Sequence, residues 1–285
     1  MILNTRTKLA IARALNRSLL CGRSLVGLGT KAQVRRHGIV WDLDLEEGID
    51  LSIYLFGCFE PMTARALRRL AKSGDIVLDI GANIGAHTLP LAKAVGSTGR
   101  VFAFEPTDYA FSKLIANLRL NEELGCIVIP EQVMLTASSG IPVKASLYSS
   151  WPLRKYEDLH RHHQGRLMPA SHARCESLDD YIERQGLDRI SLIKLDVDGH
   201  EVPVLKGASE ALKRCGPPIV MEIAPYVHEE ENHSFEELID ILRSHEYRLR
   251  PLNQRNFMPM EAKELQRRIP PGAGMNIVAE RLAFP

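Results

Sequence analysis

The sequence predicts an α/β fold, in which a mostly parallel sheet carries helices on both faces. Between residues 75 and 245, short apolar runs alternate with amphipathic stretches. This order is typical of parallel strands joined by crossover helices. A glycine-containing turn directly follows the first apolar run, and ligands bind such sheets at the carboxyl ends of the strands. The 285 residues suffice for one large α/β domain or two small ones.

The first 60 residues are predicted to form an extension ahead of the main domain, beginning with a basic helix. Residues 1–41 contain eight lysines and arginines and no acidic residue. Ile11, Leu15 and Leu19 fall on one helical face. Either this helix packs on the domain with a solvated face, or residues 1–36 contact an anionic membrane as a peripheral anchor. After it, VRRHGIVWDLDL and IDLSIYLF alternate apolar and polar residues around residues 46–48, which predicts a β-hairpin.

The main domain is predicted over residues 61–285, with elements read from the period of their apolar residues. The predicted helices cover residues 61–72, 84–95, 109–121, 201–213 and 235–245. The predicted strands cover residues 75–80, 100–105, 126–130, 190–196, 218–223, 247–252 and 275–281, the last two as an antiparallel pair. Residues 149–174, rich in histidine and arginine, are predicted to be a loop or a lid inserted in this domain. Its histidines 160, 162, 163 and 172 have no regular element to fix a metal geometry, so a solvated, flexible segment is expected, with a basic lid over an anionic acceptor as the alternative.

Composition narrows the classes of function. The formal net charge is +1, so the protein has no overall positive electrostatic potential that would favour binding to nucleic acid. No apolar run approaches the ~20 residues of a membrane span. The five cysteines include no CxxC pair, which indicates a reducing compartment and no zinc site. We therefore expect a cytoplasmic protein, with membrane contact as a second hypothesis, and no nucleic-acid partner.

The turn IVLDIGANIGAHT, residues 76–88, predicts a nucleotide-like ligand that lacks a phosphate at this point. Gly81 and Gly85 allow a sharp turn, but their spacing is neither the dinucleotide GxGxxG nor the P-loop pattern. Asp79 would repel a pyrophosphate. Glu105, at the end of the next predicted strand, can accept hydrogen bonds from both hydroxyls of a ribose. These features favour S-adenosylmethionine over NAD.

The motifs DIGANIGAHT, VFAFEP, SLDDYI, IKLDVDGHEVPVLKGA and IVMEI, in this order, resemble the FkbM family of S-adenosylmethionine-dependent methyltransferases. The resemblance covers about residues 50–285. It implies a Rossmann-like class I methyltransferase fold, with a seven-stranded sheet whose last strand is antiparallel. It also implies O-methylation of hydroxyls on polyketides, sugars or other small metabolites. Asp198 departs from the family, which usually has glutamate there. Transferred by position, the cofactor residues are Asp79, Gly81, Ala82, Asn83, Gly85 and Glu105.

The residues predicted to handle the acceptor follow the fourth and fifth strands of the parallel series. Asp196 is the expected base or acceptor anchor, with His200 and Glu222 as its partners. Asp196, Asp198 and Glu222 could also bind Mg²⁺ as hard oxygen ligands, although no metal ligands are assigned. The predicted function is methylation of a hydroxyl on a small molecule or glycan. Two alternatives stay open: a scaffold with this fold that docks through its basic helix, and an NAD-linked oxidoreductase.

Overall fold

The computed structural model describes residues 5–140, 146–154, 159, 165–228 and 233–281. Within these residues the helices are α1 (Thr5–Leu25), α2 (Gly48–Phe56), α3 (Pro61–Leu70), α4 (Thr88–Val95), α5 (Asp108–Arg119), α6 (Glu122–Gly125), α7 (Leu178–Gln185), α8 (Glu201–Lys206), α9 (Ser209–Cys215), α10 (Pro225–His228), α11 (Phe235–Ser244) and α12 (Ala262–Arg268). The strands are β1 (Lys31–Arg36), β2 (Ile39–Asp44), β3 (Ile76–Ile80), β4 (Arg100–Phe104), β5 (Val128–Glu131), β6 (Val133–Leu135), β7 (Ser146–Ser150), β8 (Arg166–Pro169), β9 (Arg174–Glu176), β10 (Leu192–Leu195), β11 (Ile219–Ile223), β12 (Tyr247–Pro251) and β13 (Met275–Arg281).

A seven-stranded sheet forms the centre of the molecule, in the order β12-β13-β11-β10-β3-β4-β5. The neighbours from β11 to β5 pair in parallel, and β13 is antiparallel to both β11 and β12. The predicted α/β class and the class I methyltransferase sheet are confirmed. Because β3 and β10 lie inside a sheet covered on both faces, their sequences IVLDI and LIKL are almost continuously apolar.

Two hydrophobic cores cover the two faces of the sheet. Side chains alternate between faces along a strand, so Leu78 enters one core while its neighbour Val77 enters the other. The Leu78 core also contains Tyr181 and residues of β10 to β13. The Val77 core contains Trp41 from β2, so the N-terminal extension shares a core with the sheet. The boundary at residue 60 remains a prediction.

The hairpin of the N-terminal extension is present, but it lies earlier in the chain than predicted. Strands β1 and β2 pair antiparallel around a turn at His37 and Gly38, whose positive φ angles suit a tight hairpin. The prediction of a strand over residues 49–56 is wrong, because this run forms α2. Ile49 and Ile53, one helical turn apart, are buried against the core.

Two predicted helices are shorter than their apolar pattern indicates. The helix predicted over residues 201–213 divides into α8 and α9 at Gly207, where a Cβ would stand 2.0 Å from the carbonyl oxygen of Thr136. The helix predicted from residue 84 begins at Thr88, because Asn83 and Gly85 adopt positive φ angles within the turn.

The predicted N-terminal helix exists as α1 and is fixed to the domain. Leu9 packs with Leu51 and Leu153, and the Asn16 side chain donates a hydrogen bond to the carbonyl of Leu45. Leu19 also packs inward, whereas Ile11 and Leu15 are exposed, so the predicted apolar face is divided. In the described part of the chain, no helix is both long and apolar enough to cross a membrane.

The segment predicted as a loop or lid begins and ends in β-structure. Strands β7 and β8 pair antiparallel. Histidines 160, 162 and 163 lie outside the described residues. Within the segment, Arg154 pairs with Glu46 and Arg174 pairs with Glu131, so these two arginines bind the protein's own carboxylates.

Candidate functional site

A large cavity opens at the carboxyl ends of the central strands. Its volume is about 1190 Å³, and its wall includes Gly81 after β3, Glu105 after β4, Asp196 after β10 and Glu222 on β11. Pockets for a single small ligand usually measure about 300–1,000 Å³. The cavity can therefore hold a nucleoside-sized donor together with an acceptor.

The glycine turn forms the wall next to Asp196. Gly81 has a φ of +78°, and a Cβ at this position would lie 1.8 Å from the carbonyl oxygen of Asp196. Ala82 and Asn83 also line the cavity. Gly85 lies behind the wall, where a Cβ would lie 2.9 Å from Leu114. Glycine at position 81 therefore lets the loop after β10 touch the turn after β3.

Asp79 lies beneath the turn, behind the cavity wall. It is fully buried and accepts a 2.6 Å hydrogen bond from the Thr88 hydroxyl.

The Lys194 ammonium lies 3.5 Å from Asp79, 3.7 Å from Asp196 and 2.6 Å from the Gly81 carbonyl. Burial alone would lower the pKa of Lys194, but Asp79 and Asp196 raise it and the net shift is upward. This lysine stays charged and holds the turn, Asp79 and Asp196 together. Sequence reasoning missed it, although a lysine inside an apolar strand was the available signal.

Glu105 is held in place by the backbone around it. It accepts hydrogen bonds from the Asn83 N–H at 3.0 Å, and from the Thr107 N–H and hydroxyl at 2.9 and 2.5 Å. Burial raises its pKa, and these hydrogen bonds oppose the rise. Val133, Met134 and Leu135 continue the wall beside it with apolar side chains. This end suits a nucleoside, with a carboxylate for the ribose and an apolar surface for the base. The sequence left those three residues unassigned.

The other end of the cavity collects carboxyl groups. Burial, with repulsion from Asp196, raises the pKa of Glu222 to about 8 and raises the pKa of Asp198 well above its ordinary value. Glu222 sits directly against the backbone of Gly274, where a Cβ would lie 1.9 Å from its Oε1. Glu222 therefore holds a proton near neutral pH more often than an ordinary glutamate does.

Glu60 belongs to this cluster and was missed by the sequence analysis. It has a left-handed backbone with a φ of +43°, which is unusual for a residue with a side chain. Its Oε2 accepts hydrogen bonds from Thr63 and Asn276, both at 2.9 Å. Burial and the charge of Asp196 raise its pKa. Strained backbone of this kind concentrates at functional sites.

Three further ionisable residues lie near the cluster. His87 lines the cavity, and neither ring nitrogen has a hydrogen-bond partner among the described residues. Burial and the charge of Lys194 lower its pKa to about 3, so its ring is neutral. His200 also lines the cavity, at the start of α8. The Glu201 side chain accepts hydrogen bonds from the N–H groups of Val197 and Gly199, and it thereby stabilises the loop between β10 and α8. Burial raises its pKa to about 7.

The hypothesis of Mg²⁺ at this end finds no support. In the part of the chain that the structure describes, no three His, Cys, Asp or Glu side chains converge in a way that could hold a metal ion.

Comparison with known proteins identifies the family. The model of the FkbM methyltransferase domain matches residues 79–249, which contain the glycine turn, Glu105, Asp196 and Glu222. The hexuronic acid methyltransferase AglP of Haloferax volcanii is 31% identical over 157 residues, which cover 55% of this chain and 59% of AglP. The methyltransferase sdnD of Sordaria araneosa is 28% identical over 162 residues, which cover 48% of this chain and 62% of sdnD.

A solved FkbM methyltransferase from Methylobacillus flagellatus is 17% identical to this chain. The match has a TM-score of 0.45 and covers 80% of this chain and 49% of the other. The chain spans less than two thirds of the length of AglP and of sdnD. The match of the family model extends over more than half of the chain, from the first central strand to β12. The chain belongs to the FkbM methyltransferase family.

Proposed function

We propose that this protein is an S-adenosylmethionine-dependent methyltransferase that methylates a hydroxyl group on a small metabolite, a glycan or a polyketide. The observation that carries the proposal is the contact between Gly81 and Asp196. It brings the glycine turn against the backbone of Asp196, whose carboxylate lines the same cavity and can serve as a base. The reaction needs these two features side by side, because donor and acceptor must be aligned within a few ångströms.

The donor end fits S-adenosylmethionine in its shape and its charge. This cofactor supplies a methyl group on a positively charged sulfur. Glu105 would hold the ribose, while Gly81, Ala82 and Asn83 would pass close to the methionine part. Asp79 and Gly85 would support this turn from behind. The charge of Asp196 gives the neighbouring space a negative potential, which favours a sulfonium over the pyrophosphate of NAD.

At the acceptor end, Asp196 would take the proton of the reacting hydroxyl. Its side chain is 30% exposed, and it lines the cavity beside the glycine turn. Glu222 could receive that proton when it is ionised, because its pKa of about 8 makes it a stronger base than an ordinary carboxylate. His200 and the neutral ring of His87 would orient the acceptor. AglP is a hexuronic acid methyltransferase, and this relative supports a sugar as one acceptor class. All five cysteines are unpaired, which supports a reducing compartment such as the cytoplasm.

The proposal is tested first by calorimetric titration with S-adenosylhomocysteine and, separately, with NAD. Micromolar binding of S-adenosylhomocysteine alone supports the assignment, while binding of NAD alone would overturn it. Asp196→Asn should then keep the affinity for S-adenosylhomocysteine and lose about 10²–10⁴-fold in the rate of methyl transfer to a hydroxylated acceptor. An Asp196→Asn variant with the full rate would show that another group is the base.

A further inference from the structure

Helix α1 and the residues directly after it present a row of exposed aliphatic side chains. Ile11 and Leu15 are 50% and 45% exposed, and Leu25, Val26 and Leu28 are 83%, 70% and 53% exposed. We call these five residues the aliphatic row. Large aliphatic side chains grouped on one short stretch of surface indicate a binding surface more often than an inert one.

The opposite face of α1 already holds the helix on the domain. Leu9 is 7% exposed and Asn16 is 6% exposed, and Asn16 donates its hydrogen bond to the Leu45 carbonyl. At 100° per residue, Ile11 and Leu15 point away from Leu9 and Asn16. The aliphatic row is therefore not the side that α1 uses to pack on its own chain.

The charged residues of the segment that carries the row are all positive. Residues 1–41 contain no aspartate or glutamate. On the helical wheel, the exposed Lys8 lies next to Leu15 at one edge of the exposed face of α1, and the exposed Arg6 and Arg17 lie at the opposite edge of this face. An aliphatic stripe between two basic edges is the pattern of helices that lie in the interface of an anionic bilayer.

We propose that the aliphatic row of α1 docks on an anionic lipid surface. In this orientation the aliphatic side chains enter the boundary between headgroups and acyl chains, and Arg6, Lys8 and Arg17 meet the lipid phosphates. Lys8, Leu9 and Ala12 of the same helix, with Met62 of α3, also line the large cavity. Docking through α1 therefore brings the cavity close to the lipid surface. The proposal rests on α1 and the aliphatic residues directly after it. It can be tested independently of the methyl-transfer reaction.

The test is co-sedimentation of the full chain with vesicles. Phosphatidylcholine vesicles are compared with vesicles that also contain phosphatidylserine, at low and at high salt. We expect binding to the mixed vesicles only, and weaker binding at high salt. Ile11→Ser combined with Leu15→Ser should weaken binding by about 30-fold, because two half-exposed aliphatic side chains no longer enter the lipid. Arg6→Gln combined with Arg17→Gln should weaken it by a similar factor, about 30-fold.

The controls separate docking from damage to the fold. Deleting α1 is unsuitable, because Leu9 and Asn16 are part of the packed structure. Leu120→Ser changes an exposed leucine after α5, 36% exposed, and should leave vesicle binding unchanged. All variants should keep the melting temperature of the parent chain. The proposal is overturned if the parent chain does not sediment with mixed vesicles, or if the Ile11/Leu15 variant binds them equally well. It is also overturned if sedimentation velocity shows an oligomer that this variant dissociates, since the row would then be a protein interface.

Discussion

The substitution Gly81→Ala tests the close approach of the glycine turn to the loop after β10. Gly81 has a φ of +78°, and an added Cβ would lie 1.8 Å from the Asp196 carbonyl oxygen, whereas real Cβ contacts are not shorter than 3.0 Å. The turn and the loop after β10 must therefore separate by at least 1.2 Å, the difference between these two distances.

Two costs follow from this geometry, and they differ in kind. A left-handed backbone at alanine costs about 1–2 kcal/mol in stability wherever it occurs. The separation of the two loops is specific to this site. A displacement of about 1 Å between reacting groups can lower a rate by about 10²-fold. We therefore expect Gly81→Ala to lose stability and also to lower the affinity for S-adenosylhomocysteine at least tenfold, because the turn that contacts the cofactor has moved.

Gly186→Ala is the matched control. Gly186 also has a left-handed backbone, with a φ of +63°, but nothing lies within 4 Å of an added Cβ. Urea unfolding should show the strain cost in both variants and a larger loss for Gly81→Ala. Calorimetry should show lowered affinity only for Gly81→Ala. If both variants have equal stability and equal affinity, the contact with Asp196 does not position the donor turn and the reasoning fails.

Three other substitutions test the charged groups. Glu105→Ala should lower the affinity for S-adenosylhomocysteine by about 100-fold in calorimetry, because the ribose hydroxyls lose a charged acceptor; unchanged affinity would contradict the ribose assignment. Lys194→Met should lower the free energy of unfolding by about 3–5 kcal/mol in urea, since Asp79 loses its buried cation, whereas exposed Lys213→Met should change it little. Glu222 binds its proton more tightly in the folded state, with a pKa raised from 4.5 to about 8. Its stabilising contribution is therefore complete below pH 4.5 and is lost as the pH rises through about 8. Glu222→Gln should thus gain stability relative to the parent chain between these limits, and parallel pH profiles of the two proteins would refute this.

The central strands could be predicted from the sequence because both faces of the sheet are covered, which makes β3, β10 and β11 almost continuously apolar. The run IDLSIYLF could not be assigned in the same way. Its alternation suits a strand, yet Ile49 and Ile53 also lie one helical turn apart, and packing against the core decides between the two structures. The break at Gly207 depends on the Thr136 carbonyl, which is distant in sequence, so no local pattern indicates it.

The candidate site was predictable where its residues follow the ends of parallel strands. Gly81, Glu105 and Asp196 do so, and the sheet brings them to one cavity. Glu60 could not be found in this way. Glu60 reaches the cluster through a left-handed residue before α3, and in the sequence it is simply a charged residue next to a proline. His87 follows the glycine turn, and its buried ring lies beside Phe59 while neither ring nitrogen has a hydrogen-bond partner among the described residues.

The charges around the cavity also bear on which acceptor it can receive. Glu60, Asp198 and Glu222 all have raised pKa values, and for each of them the charge of Asp196 contributes to the rise. An anionic acceptor placed among these groups would add a further negative charge and raise their pKa values again, at a cost in binding free energy. A neutral hydroxyl adds no charge, and it can donate to an ionised carboxylate or accept from a protonated one. The cluster thus favours an uncharged acceptor group next to a positively charged donor, which supports methylation at a hydroxyl even where the rest of the acceptor is an acid.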